Sequence, residues 1–211
     1  MTVDLTPRTL EAWLSARSIA RAVPAPVRDR GGWRVDTGSA AELCRYVFRE
    51  ADETFWAAAD TIDTPRVSLK ACASAADVLA IVPSRWTLQS VAWMMVQDPN
   101  GDDSVDLPEG YALDVTTQRG VSSVVIADAA GTAAASGHGA TAGGVFCYDR
   151  IVTQPDHRRR GLGRAIMGAL GRRQAPGTRR MLAATDAGRA LYETLGWRVV
   201  APYTTIEIVR A

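Results

Sequence analysis

Between Arg150 and Arg164 the chain reads Arg-Ile-Val-Thr-Gln-Pro-Asp-His-Arg-Arg-Arg-Gly-Leu-Gly-Arg, an order that few folds can absorb. A β-branched run stops at Pro155, the chain turns through arginines and glycines, and a helical pattern follows from about Gly161 to Gln174. Such a turn leaves several backbone N–H groups unpaired at the start of the helix, where the helix dipole favours negative charge. Gly161 and Gly163 let backbone approach a ligand without a Cβ in the way, and the arginines add positive potential. The turn can therefore hold a pyrophosphate. A Walker A loop is excluded, because the lysine and hydroxyl it needs are missing. A dinucleotide fingerprint fails as well, since Ile166 stands where its third glycine belongs. A merely solvated, Arg-rich helix start would explain the charges but not both glycines.

The rest of the chain alternates strand and helix signals. Thr6-Pro7 starts a helix that ends before Pro24 and Pro26, and Trp33 to Thr37 reads as a short strand. Ser39 and Glu42 form a capping-box pattern that predicts a second helix through about Trp56. Arg66 to Cys72 reads as a strand, Ala75 to Val82 as a helix capped by Ser74, and Trp86 to Gln97 as a long strand. The polar loop Asp98 to Gly110 suggests a boundary between residues 1–105 and 106–211. Beyond it come strands at Tyr111 to Gln118, Val121 to Asp128, Thr132 to about Ala142 and Val145 to Thr153. After the Arg/Gly loop and its helix, Met181 to Thr185 is a strand, Asp186 caps a helix to Leu195, and Trp197 to Arg210 supplies one or two strands kinked at Pro202. The pattern is α/β of the α+β kind, a mixed and mostly antiparallel sheet flanked by helices. Val67 to Gln97 repeats the strand, helix, strand order of Arg180 to Ile208, which suggests a degenerate half-domain duplication.

Composition narrows the function classes. With 211 residues and a net charge of +1, eight arginines against one acid, Asp156, fall between Pro155 and Arg180. This is a local anion site rather than the domain-wide basic excess of a nucleic-acid binder. Cys44, Cys72 and Cys147 show no disulfide or zinc spacing, so no metal is expected. No apolar run is long enough for a membrane span, and no secretory leader pattern opens the chain, so the expected compartment is the cytoplasm.

The loop Arg158-Arg159-Arg160-Gly161-Leu162-Gly163 resembles the Gln/Arg-x-x-Gly-x-Gly/Ala cofactor loop of the GNAT family of acyl-CoA-dependent N-acyltransferases. Ala190 to Trp197 resembles that family's later helix, where a tyrosine precedes a Gly-aromatic turn. The resemblance covers Tyr111 to Arg210. It implies that Arg158 to Gly163, with Arg164 beside them, take the pyrophosphate of acetyl-CoA as cosubstrate. The backbone of Ile151, Val152 and Thr153 would hold its pantetheine arm. It also implies Tyr192 as proton donor to the departing thiolate, and Thr185 where many members carry a cofactor-contacting asparagine. The two helices that usually follow the family's first strand have no room between Gln118 and Val121, and those helices wall the acceptor pocket. Residues 1–105 would then contribute to that pocket as a degenerate GNAT half. They hold five of the six tryptophans, Trp13, Trp33, Trp56, Trp86 and Trp93.

An alkyl ammonium with a pKa of about 10.4 must lose a proton before it can attack a thioester. The candidate bases are Asp149, near where many family members place an acid, and His138, whose intrinsic pKa suits the task. Glu193 is expected in solvent and Cys147 in the core. The expected reaction is transfer of acetyl from acetyl-CoA to a primary amine of a small molecule. A protein or peptide amine, or cofactor binding without turnover, are the alternatives. Neither nucleic acid nor membrane is an expected partner, and a homodimer is left open.

Overall fold

The computed structural model describes residues 5–97 and 103–208. The first stretch forms α1 (Pro7–Arg21), β1 (Val27–Asp29), β2 (Gly32–Asp36), β3 (Cys44–Phe48), α2 (Glu53–Thr61), β4 (Val67–Ala71), α3 (Ala75–Ile81) and β5 (Trp86–Gln97). The second forms β6 (Ala112–Gln118), β7 (Val121–Ala127), β8 (Ala133–Ala142), β9 (Val145–Thr153), α4 (Leu162–Gly171), β10 (Arg179–Ala184), α5 (Asp186–Thr194) and β11 (Arg198–Ile208).

All eleven strands join one sheet in the order β1-β2-β3-β4-β11-β5-β10-β9-β8-β7-β6. Only β3 with β4 and β9 with β10 are parallel, each joined through a helix, as a parallel crossover requires. The final strands of the two stretches are exchanged. β5 lies between β11 and β10, and β11 between β4 and β5, so residues 1–105 and 106–211 share the sheet. The linker between them lies partly outside the described residues, at 98–102. Its resumption at Asp103 is pinned, because Arg180 Nη1 and Nη2 each donate to the Asp103 carboxylate at 2.7 Å.

Three apolar clusters bury the sheet. One lies under α4 and α5, one under α1, and one under α2 and α3. α1 begins as its letters predict, with Thr6 Oγ1 accepting from the Thr9 N–H and Pro7 in the first turn. Its apolar stripe, Leu10, Trp13 and Leu14, is buried on β8 and β9. The N-terminal helix thus covers a face of the C-terminal strands. The β6–β7 connection is meanwhile a tight hairpin at Arg119 and Gly120, both at positive φ.

Three local expectations are corrected. Ser39 and Glu42 do bond to each other, but they close a turn before β3 instead of starting a helix. Cys44–Phe48 is buried throughout between β2 and β4, and its aromatic and β-branched residues fit a pleated interior; the helix waits for Asp52, which accepts from the Thr54 and Phe55 N–H groups. The cap of α5 is Thr185 and not Asp186, since the threonine hydroxyl accepts from the Gly188 N–H at 3.2 Å. The last segment is one strand through Ile208, and its pairing with β5 shifts twice, at Val200 between Val199 and Ala201 and at Gln89 opposite Thr205 and Ile206, while Pro202 keeps its place opposite Trp93.

Candidate active site

β9 and β10 pair only at Val145 with Arg179, Phe146 with Arg180 and Cys147 with Met181. Beyond those pairs β9 continues to Thr153 and β10 to Ala184 without meeting, so the strands part into a notch. β9 also bulges. Ser136 faces Val152 and His138 faces Asp149, which leaves one residue too many on β9, and Arg150 takes φ +52°. A bulge re-aims the side chains that follow it. Phe146 and Tyr148 before it, and Ile151 after it, all join the cluster under α4, while Val152 is exposed. Among the described residues no strand pairs with the edge of β9 turned away from β8 along Ile151 to Thr153, an arrangement that can take an extended ligand.

From Thr153 the chain makes one 3-10 turn, Pro155–His157, and then takes left-handed backbone at Arg159 (φ +62°) and Gly161 (φ +81°). Such reversals direct successive N–H groups into one concavity. α4 begins at Leu162 with Gly161 as its cap, and glycine has no side chain to bond the first amides. α1, α2, α3 and α5 are each closed by a hydroxyl or carboxylate, from Thr6, Asp52, Ser74 and Thr185. Among these five helices only α4 starts without a side-chain cap, and an uncapped helix start is where an anion can bind.

The two glycines differ in purpose. A Cβ at Gly161 would meet nothing within 4 Å, so that glycine serves its left-handed backbone. A Cβ at Gly163 would stand 2.9 Å from Leu191 Cδ2, so this one lets α4 approach α5. Among the arginines, Arg158 Nε donates to the Thr153 carbonyl at 3.3 Å and Arg160 Nη1 to the Tyr111 hydroxyl at 3.2 Å. Arg159 is exposed and Arg164 half-buried at the helix start. Tyr111 also bonds His157 Nδ1 at 2.8 Å, which ties the loop to the start of β6. Nothing in the letters singles out Tyr111, and His157 stands just before the Arg158–Gly163 motif.

Tyr192 is buried in the cluster that contains Leu182 and Ala184 of one leg of the notch and Tyr148 and Ile151 of the other. Its ring lies 6.1 Å from that of Trp197, and burial pushes its pKa up to about 12. A phenol held protonated in this way can donate but does not ionise at neutral pH. Thr185 ends the β10 leg, with its hydroxyl engaged in capping. Trp93, partnered with Ala184 across the strands, donates from Nε1 to Asp186 at 2.6 Å and carries Arg189 over its ring.

Asp149 and His138 sit on the other face, under α1. Asp149 is 7 % exposed, and its carboxylate accepts from Arg21 Nε at 2.6 Å, Arg21 Nη2 at 2.9 Å and Arg17 Nε at 3.2 Å. Burial alone would raise its pKa, but the hydrogen bonds and charges of Arg21 and Arg17 outweigh that and lower it. An ion-paired carboxylate of this kind is a poor base. His138, opposite it on β8, bonds Ser123 Oγ through Nδ1 at 3.0 Å. Burial and Arg150 lower its pKa against the pull of Asp149, so the imidazole is neutral at pH 7. Cys147 is buried, and burial raises its thiol pKa, which keeps it protonated. Among the described residues no group of three or more His, Cys, Asp or Glu could hold a metal, and no helix is long and apolar enough to cross a membrane.

Residues 120–199 match the family described as Acetyltransferase (GNAT) domain. No curated protein matches the chain. Among solved structures, a GCN5-related N-acetyltransferase from Kribbella flavida has TM-score 0.67 and 17 % identity, covering 100 % of this chain and 98 % of its own. A GCN5-related N-acetyltransferase-like protein from Streptococcus suis has TM-score 0.57 and 15 % identity, covering 83 % of each chain. A tandem GNAT protein from the clavulanic acid biosynthesis pathway has TM-score 0.52 and 15 % identity, covering 75 % of this chain and 70 % of its own. At such identities the likeness is one of fold. Residues 120–199, less than half of the chain, thus match the acetyltransferase (GNAT) domain, and the whole chain shares its fold with the Kribbella flavida protein.

Proposed function

We propose that the protein transfers an acetyl group from acetyl-CoA to a primary amine of a small molecule. The observation that carries this reading is the notch between β9 and β10, with the uncapped start of α4 beside it. Amides and arginines from Arg158 to Arg164 hold the diphosphate, and the free edge of Ile151, Val152 and Thr153 takes the pantetheine arm. The amine nitrogen attacks the thioester carbonyl and the carbon–sulfur bond breaks. The Tyr192 hydroxyl protonates the departing thiolate, and His138 is better suited than Asp149 to take the proton of the amine.

Residues 1–105 are read as a degenerate second half. β3, α2 and β4 repeat the order of β9, α4 and β10, but their parallel pair stays closed from Cys44 to Phe48, and Asp52 caps α2 with negative charge. Neither feature suits a diphosphate, so this half serves the acceptor side through α1. The engagement of Asp149 favours a second reading, cofactor binding without turnover. Thiol release from acetyl-CoA over a panel of amino acids, polyamines, aminoglycosides and peptides decides between them. Release with a small amine supports transfer; calorimetric binding of acetyl-CoA with no release from any acceptor supports the second reading.

A further inference from the structure

On the α1 face of the sheet, three buried or half-buried arginines meet two acids, beside Lys70, whose pKa burial lowers to about 7. Arg17 and Arg21 share Asp149, Arg45 of β3 pairs with Glu42, and Lys70 of β4 donates from Nζ to Thr205 Oγ1 at 3.1 Å. Within this group the Arg17 Nη1, Arg45 Nε and Tyr203 hydroxyl are buried without a hydrogen-bond partner among the described residues. Arg45 is 8 % exposed and Tyr203 3 %. Trp13 links two of these groups, since Arg17 Cζ lies 5.1 Å from the centroid of its ring and Tyr203 stands edge-on to it with centroids 5.8 Å apart. Arg17, Arg21 and Arg45 also line a recess of about 10 Å³, enough for one oxygen-sized atom.

The orphaned atoms have a common chemistry. Guanidinium nitrogens only donate, and a phenol can donate, so what satisfies them is an acceptor, and the surplus positive charge makes it an anion. Arg17 and Arg45 each hold a carboxylate through another nitrogen, so one donor apiece is left over, and buried donors in folded proteins are usually satisfied, which marks the cluster as a place for an acceptor. Its position says what. Arg17 binds Asp149, which lies on β9 just past Cys147, the last residue paired with β10, so the cluster stands at the α1 side of the notch.

We propose that Arg17, Arg45 and Tyr203 bind the carboxylate of the acceptor, which makes the substrate an amino acid or a related amino-carboxylate. This rests on the reading of the notch as an acyl-transfer site and narrows its acceptor. One carboxylate oxygen enters the recess while the amine stays toward the thioester.

The test uses the full-length protein with acetyl-CoA and matched acceptors, the common amino acids and their carboxamides, with thiol release as readout. A carboxamide has the less basic amine, so chemistry alone would favour it. The expected result is the reverse, a kcat/KM at least about tenfold higher for the acid, the worth of one charge-assisted hydrogen bond. Tyr203→Phe keeps the ring edge-on to Trp13, with centroids 5.8 Å apart, and deletes only the unpaired hydroxyl. It should raise KM for the acid about tenfold while leaving kcat, the carboxamide KM and Tm unchanged. Equal use of acids and carboxamides, or an unchanged acid KM in Tyr203→Phe, overturns the subsite and leaves a water as its occupant. If no acceptor releases thiol, the transfer reading has failed, and calorimetric titration of the same pairs decides the subsite alone. Preferential binding of the acid, weakened in Tyr203→Phe, upholds it, and equal or absent binding overturns it.

Discussion

Gly163 and Leu191 come together so closely that a Cβ on the first would stand 2.9 Å from Cδ2 of the second. That contact joins the Arg158–Gly163 loop to the helix that carries Tyr192, two motifs far apart in sequence. Gly163→Val should push α4 from α5, and Gly161→Val should force a β-branched residue into φ +81°. Each should weaken acetyl-CoA binding in calorimetry by roughly tenfold or more, about 1.4 kcal/mol. Arg172→Ala and Arg173→Ala, at the far end of α4, should not. Equal affinity in both glycine variants would remove the loop from the binding site.

Tyr192→Phe keeps the ring against Trp197 and removes only the hydroxyl. The loss of one acid catalyst should lower kcat by roughly 10²-fold or more, with acetyl-CoA affinity and Tm near wild type. A single-turnover rate equal to wild type would reduce Tyr192 to a packing residue.

Asp149→Asn separates a structural carboxylate from a catalytic one. Removing the charge leaves Arg17 and Arg21 facing a neutral group in a buried setting, which should cost about 3 kcal/mol or more in urea unfolding. The folded pKa of Asp149 is lowered, so its stabilisation is present above the unfolded value of about 3.9 and is lost as pH falls through the folded one. The acid limb of wild-type stability should therefore be steeper than that of the variant. A loss of kcat with stability and its pH profile unchanged would make Asp149 the base after all.

Asp103 should matter well beyond its place in a linker. Arg180 is 2 % exposed and holds it through both Nη atoms. A Cβ at Gly171 would fall 1.9 Å from Asp103 Oδ1, so α4 carries glycine where the returning chain crosses it. Asp103→Ala leaves the Arg180 charge buried and should destabilise by about 3 kcal/mol. Gly171→Ala should also destabilise, against the gain of about 1 kcal/mol that alanine brings to a helix. A Gly171→Ala protein with a higher urea midpoint than wild type would show that the linker can shift aside.

What could be read from the letters is what neighbouring residues decide among themselves. Thr6-Pro7, Ser74 and Gly161-Leu162-Gly163 act on their own first turns, Pro155 ends its own strand, and Tyr192 keeps a fixed offset from Gly196; these stand as read. Ser39 Oγ accepts from the Glu42 N–H in this turn as it would in a capping box, but the Glu42 carboxylate pairs with Arg45 instead of reaching back, and the buried slot between β2 and β4 takes the next residues as a strand. The tertiary structure alone decided the exchange of β5 and β11, and the placing of α1 over β8 and β9 where the hairpin at Gly120 leaves no room for helices. It also turned Asp149 from a candidate base into the anchor of Arg17 and Arg21, partners 132 and 128 residues away. Such contacts follow from which apolar faces find each other, and no local propensity encodes that choice.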